Sequence, residues 1–207
     1  MDFLQIFTLV TGVIYIILEI RQKNFMWVVG IVTSLAAMWV FFRQGLYASF
    51  GLNTYYFITA FIGLWQWQRD KRNLALQQVG TPADGAPKGD VICLNRLSVR
   101  TVIISAVVSV AGIFALSYGM TWAENVGVLN ENPMSLLDSA VAVLSAVATW
   151  WLVKSYREQW WLWIVADTLS VVLCALQGMW WMSLLYVAYV MAAVYGLHYW
   201  KLHGRLV

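Results

Sequence analysis

Trp160, Trp163 and Asp167 stand at i, i+3 and i+7 in one apolar run, followed at helical spacing by Ser170 and Cys174. On a helix all five fall near one face. Indoles beside a carboxylate suit a flat, positively charged organic ligand. Aromatic faces attract a desolvated cation by about 2 kcal/mol, and the carboxylate supplies the counter-charge. Counted from Gln159 at roughly 1.5 Å per residue, Asp167 lies about 12 Å deep, near the middle of a bilayer if the run crosses one. An ionisable group there costs about 2.5–3.5 kcal/mol on insertion scales, so it is expected to face a cavity or a partner. A competing account has Asp167 protonated, or hydrogen-bonded to a neighbouring helix as glue. Tyr186 and Tyr189 in the next run, with Asn53 and Tyr56 in an earlier one, extend the candidate substrate-binding set. For each of these, ligand contact and interhelical packing are equally good accounts.

Other chemistries find no residues. The apolar runs hold no paired carboxylates at metal spacing, no Ser-His constellation, no phosphate-cradling glycine loop and no Cys/His cluster, so no enzyme, cofactor or metal is expected. Cys93 and Cys174 form no disulfide framework and read as small buried or free thiols. His198 and His203 read as solvated, as do Glu19 and Asp138 near helix ends. A retinal-type sensor would need a lysine within the last helix, and only Lys201, at its end, is near.

The elements that must carry these residues follow from composition. With 61% hydrophobic and 11% charged residues, the 207-residue chain has too little polar surface for a soluble globule and reads as an all-α integral membrane protein in a lipid bilayer. Its uncharged runs predict seven transmembrane helices at 3–20, 25–43, 49–68, 99–119, 133–154, 159–177 and 180–200. Asp2 replaces the basic start of a signal peptide, so the first helix is expected to remain. Every Lys and Arg except Arg43 falls in connections after helices one, three and five or in the C-terminal tail. Positive loops stay cytoplasmic, which predicts the N-terminus outside and the C-terminus inside. The net charge of +3 is thereby explained without nucleic acid.

Asn24 to Trp67 recurs without a gap between Arg157 and Trp200. Trp27 matches Trp160, Gln44-Gly45 matches Gln177-Gly178, Tyr56 matches Tyr189, Gly63-Leu64 matches Gly196-Leu197, and Trp67 matches Trp200. Each copy has three spans, so one additional crossing is needed for the second to run in the same direction. The expected architecture is two parallel three-helix repeats joined by a linker helix, three plus one plus three. Its parts are 1–68, a cytoplasmic loop at 69–98 read as a flexible tether with a short surface helix near Arg69–Gln78 as the alternative, the linker at 99–119, an external loop at 120–132, the second repeat at 133–200 and a tail at 201–207. Gln44 and Gln177 are expected to cap helices at turns. The repeats are expected to rock about a site held by helices two, three, six and seven, with Gly30, Gly63 and Gly196 permitting close sliding.

At Trp160-x-x-Trp163-x-x-x-Asp167 the sequence resembles the Pnu family of bacterial vitamin transporters, whose pattern is Trp-x-x-Trp-x-x-x-Asn. Leu137-Asp138-Ser139, Leu46-Tyr47-Ala48-Ser49 and Met182-Ser183-Leu184 are further echoes. The resemblance implies a SWEET-like fold and a bacterial inner-membrane location with a periplasmic N-terminus. It also implies facilitated diffusion of a vitamin, trapped by a cytoplasmic kinase that phosphorylates it. It places Trp160, Trp163, position 167 and Asn53 in the binding site. Two departures stand out: Asp167 in place of Asn, and Tyr195 before Gly196 where the nicotinamide riboside carriers tend to have Asn. Both look like the thiamine-transporting branch, which makes thiamine the expected cargo and adds Tyr195 to the site. Nicotinamide riboside, also cationic, is the alternative; proton coupling through Asp167 and a homo-oligomeric assembly stay open.

Overall fold

The computed structural model describes residues 3–43, 47–79, 92–128 and 134–206. Within them the chain forms α1 (Phe3–Ile20), α2 (Phe25–Arg43), α3 (Tyr47–Val79), β1 (Ile92–Leu94), α4 (Val99–Asn125), α5 (Ser135–Val153), α6 (Gln159–Leu176), α7 (Trp180–His203) and β2 (Gly204–Leu206). Among the described residues four helices, α4 to α7, are long and apolar enough to cross a membrane.

α1 and α2 occupy the residues expected of them, whereas α3, α4 and α7 run on past the apolar boundary. For α3 the reason is local. From Arg69 to Val79 the chain has neither Gly nor Pro, and its Arg, Lys, Leu, Ala and Gln are good helix formers in water as well as in lipid. The 69–98 connection is therefore not a uniformly flexible tether: it opens as helix and closes as a strand. Ile92, Cys93 and Leu94 are buried, and β1 pairs in parallel with β2 in the register Ile92 to Gly204 and Leu94 to Leu206. The tail is thus ordered too. Residues 80–91, with the loop's prolines, lie outside the described residues, as do Gln44-Gly45-Leu46 and Pro133.

The chain divides into two compact units. One comprises Met1–Asn95, Leu152–Arg157 and Tyr199–Val207, the other Arg96–Trp151 and Glu158–His198. In the first, α2 packs along α3, and Trp27, only 1% exposed, lies across Gly63. A Cβ at Gly63 would come within 2.5 Å of that indole, so glycine is required for the approach. Trp67 meets Trp27 edge-on at 5.0 Å between ring centroids. Its Nε1 donates to the Leu152 carbonyl at 3.1 Å, while Trp200 Nε1 donates to the Ile20 carbonyl at 2.9 Å. Two aligned tryptophans thereby satisfy orphan carbonyls at helix C-termini.

The second unit repeats the tryptophan-glycine contact: a Cβ at Gly196 would sit 2.6 Å from the Trp160 ring. Gly30 differs, because a Cβ there would make an ordinary 3.7 Å contact with Ala60. Of the three glycines expected to allow close approach, Gly63 and Gly196 have a steric reason and Gly30 has none. α4 meets α5 through Trp151, whose Nε1 donates to Ser105 Oγ at 3.0 Å. That contact buries Trp151, whereas Trp39, Trp65, Trp122, Trp180 and Trp181 are exposed. Gln177 ends α6 and Gly178, at φ +73, starts the turn into α7. A left-handed residue at that point commonly terminates a helix.

Candidate functional site

The buried residues of α6 are Gln159, Trp160, Ala166, Asp167, Ser170 and Cys174, the face that the spacing predicts. Asp167 stands at the middle of the helix and is only 7% exposed. None of the hydrogen bonds or ion pairs found among the described residues engages its carboxylate. Ser170 is internally satisfied, its hydroxyl donating to the Ala166 carbonyl at 2.9 Å. Trp163, half-buried on the same face, has an enclosed indole N–H that finds no acceptor among the described residues. A buried donor left unmade costs about 1–3 kcal/mol. Donor and carboxylate together are complementary to a ligand that is both a cation and a hydrogen-bond acceptor.

α7 adds two aromatic rings to this unit. Tyr186 and Tyr189 are half-buried and meet edge-on, with centroids 5.9 Å apart and planes at 86°. Tyr189 lies within electrostatic reach of the Asp167 carboxylate. Ser183, one turn earlier, donates to the Val171 carbonyl at 3.2 Å and fixes the start of α7 against α6. Trp160 is wedged against Gly196 and is 1% exposed, so its ring packs the helices and supports the face. Tyr195 is not brought to this group. It stands on the opposite side of α7 from Tyr186, by the 100° step of a helix, and is 58% exposed.

Asn53 and Tyr56 belong to the other unit, both half-buried on α3, where Tyr55 and Tyr56 form a tilted pair at 5.6 Å. They align with Tyr186 and Tyr189 of the second copy. That unit also holds a carboxylate that reading by span ends misplaces: Glu19 is 5% exposed, not solvated, and within electrostatic reach of Tyr15, which interacts in turn with Tyr56. Burial of an ionisable residue in an apolar run was the available signal, and the nearby Arg21 and Lys23 masked it. His198 is exposed and His203 stacks on Tyr199 at 4.2 Å, as edge residues. No group of His, Cys, Asp and Glu among the described residues is placed to hold a metal ion.

Comparison with known proteins places this geometry. A family model described as nicotinamide mononucleotide transporter matches residues 2–202. The nicotinamide riboside transporter PnuC of Escherichia coli K12 is 30% identical over 169 residues, covering 78% of this chain and 69% of that protein. The Neisseria mucosa transporter of the same name is 26% identical over 200 residues, covering 92% of this chain and 69% of that protein. The crystal structure of the vitamin B3 transporter PnuC matches with a TM-score of 0.59 at 25% identity, covering 95% of this chain and 81% of that one. The Asp167 and Tyr195 departures gain no support as marks of a thiamine branch: these relatives carry the nicotinamide riboside name.

Proposed function

Because the chain belongs to the nicotinamide mononucleotide transporter family and is a membrane transporter of the PnuC type, we propose that its cargo is nicotinamide riboside. The observation that carries this reading is the buried Asp167 on the α6 face, with the Trp163 donor and the Tyr186 and Tyr189 rings beside it. Nicotinamide riboside is a flat pyridinium with a fixed positive charge, a carboxamide and sugar hydroxyls. Its ring suits the tyrosines, its charge suits the carboxylate, and its carboxamide oxygen suits an indole N–H left without an acceptor. The mononucleotide named by the family fits less well. α6 contains no Lys or Arg, and α7 only Lys201 in its last turn, so these two helices offer a phosphate dianion the Asp167 carboxylate and no mid-helix cation to offset it.

The carrier works by facilitated diffusion with alternating access, as two parallel three-helix repeats around the α4 linker, N-terminus outside and C-terminus inside. A cytoplasmic kinase that phosphorylates the arriving cargo makes uptake unidirectional, since the charged product cannot return past the Asp167 face. Calorimetric titration of the purified protein with nicotinamide riboside, its mononucleotide, thiamine and riboflavin tests the cargo. Tight binding of the riboside alone is expected; tight binding of thiamine with none of the riboside would overturn the assignment.

A further inference from the structure

Away from the α6 face, a dense set of buried polar contacts lies where α1 ends. Gln22 is 1% exposed and adopts φ 48, in the left-handed region that a non-glycine residue holds only when its surroundings impose it. Its amide engages Cys93 in both directions. Nε2 donates to the Cys93 carbonyl at 2.9 Å, and the Cys93 N–H donates to Oε1 at 2.8 Å. The side chain thus takes the place of a neighbouring strand on one edge of β1, while β2 holds the other. The same edge continues to Asn95, whose N–H donates to the Ser155 carbonyl at 3.2 Å. Ser155, which stands at the same 133-residue offset from Gln22 two positions before the repeated stretch begins, is fully buried and has φ 54. Gln22 Nε2 also reaches Ser155 Oγ at 3.3 Å, Asn95 Nδ2 donates to both Asp70 and the Lys154 carbonyl at 3.0 Å, and Lys71 Nζ donates to the Gln22 carbonyl at 2.7 Å.

One three-residue strand therefore ties together the α1–α2 turn, α3, the α5–α6 turn and the C-terminus. The two turns are equivalent positions of the two copies, and a carrier that rocks its repeats must separate such positions at one end in every cycle. The bonds that join them are polar, each worth about 0.5–1.5 kcal/mol net, and can be exchanged for water. The two left-handed residues relax when they part. We propose that this assembly is the closed position of a gate at the basic end of the carrier, latched by Gln22 on Cys93 and flanked by β2, and that it opens once per transport cycle. The proposal rests on the transporter reading above.

Cys93 reports the state of the latch. It is 1% exposed, and burial pushes its thiol up to about 11, so the closed gate withholds the thiolate that reacts. The test follows N-ethylmaleimide alkylation of the full-length protein in liposomes, with Cys93 and Cys174 resolved by peptide mass. Wild type is compared with Gln22→Asn, which tolerates the left-handed backbone but shortens the amide, and with Gly204→Val, whose side chain would overlap Leu94 and the Trp200 carbonyl. Both variants should alkylate Cys93 about tenfold faster or more as the thiol returns toward its ordinary range. Saturating nicotinamide riboside should change the wild-type rate severalfold. Riboside binding is measured on the same samples. Absence of binding sinks the cargo reading and leaves the variant rates as the test of the latch. Binding with Cys93 rates unmoved by substitution, or with a wild-type rate unmoved by the riboside, identifies a permanent brace and overturns the gate.

Discussion

In the proposed recognition of the cargo Asp167 and Trp163 take the leading parts, because among the described residues no side-chain or backbone partner is found for the Asp167 carboxylate or the Trp163 N–H. Asp167→Asn keeps the volume and removes the charge. It is expected to weaken binding of a cationic vitamin by about thirtyfold, the equivalent of roughly 2 kcal/mol, with an unchanged melting temperature in detergent. Equal affinity in the variant would remove Asp167 from the site. Trp163→Phe keeps an aromatic ring but removes the indole N–H together with the second ring; the lost hydrogen bond of about 1 kcal/mol makes the expected loss about fivefold or more, read by the same titration. Asp167 was visible in the chain because a carboxylate at mid-span has few structural uses. Glu19 was not, because a helix end crowded with charge looks solvated until its neighbours are placed. Tyr195 entered the candidate set through the family pattern alone, and helical spacing puts it on a different face of α7 from Tyr186.

At the scale of elements, the helices are held at close range by tryptophan laid over glycine, in α2 with α3 and again in α6 with α7. The two kinds of glycine should separate experimentally. Gly196→Ala forces a Cβ to 2.6 Å from the Trp160 ring and should destabilise by about 1–3 kcal/mol, the usual range for overpacking. Gly30→Ala, with 3.7 Å to Ala60, should leave the melting temperature within a degree or two or raise it slightly, since alanine favours the helix. Similar melting of both variants would contradict the packing described. The extents of α1 and α2 followed from apolar length alone, whereas helix over Arg69–Gln78 was only the alternative to a flexible tether, because a polar stretch of helix formers gives no hydropathy signal. β1 and β2 were also hidden, as three residues without a visible partner do not announce a strand.

For the whole molecule the question is what drives the cargo. A facilitator should equilibrate nicotinamide riboside across proteoliposomes at a rate indifferent to an imposed pH gradient, and accumulate it only when a kinase and ATP are enclosed. Accumulation against a gradient by pH difference alone, lost in Asp167→Asn, would instead make the carboxylate a proton carrier.

The spans, the repeated pattern and the uncharged setting of Asp167 were determined by the sequence itself, because crossing hydrocarbon and presenting one face of a helix depend only on nearby residues and their period. Tertiary structure alone decided that Glu19 and Gln22 are buried, that Trp160 packs on Gly196, and that a strand from the inter-repeat connection meets the C-terminus. Those contacts join residues far apart in the chain. Their partners are chosen by geometry and by the need of every buried polar group for a complement, and neither composition nor spacing records that choice.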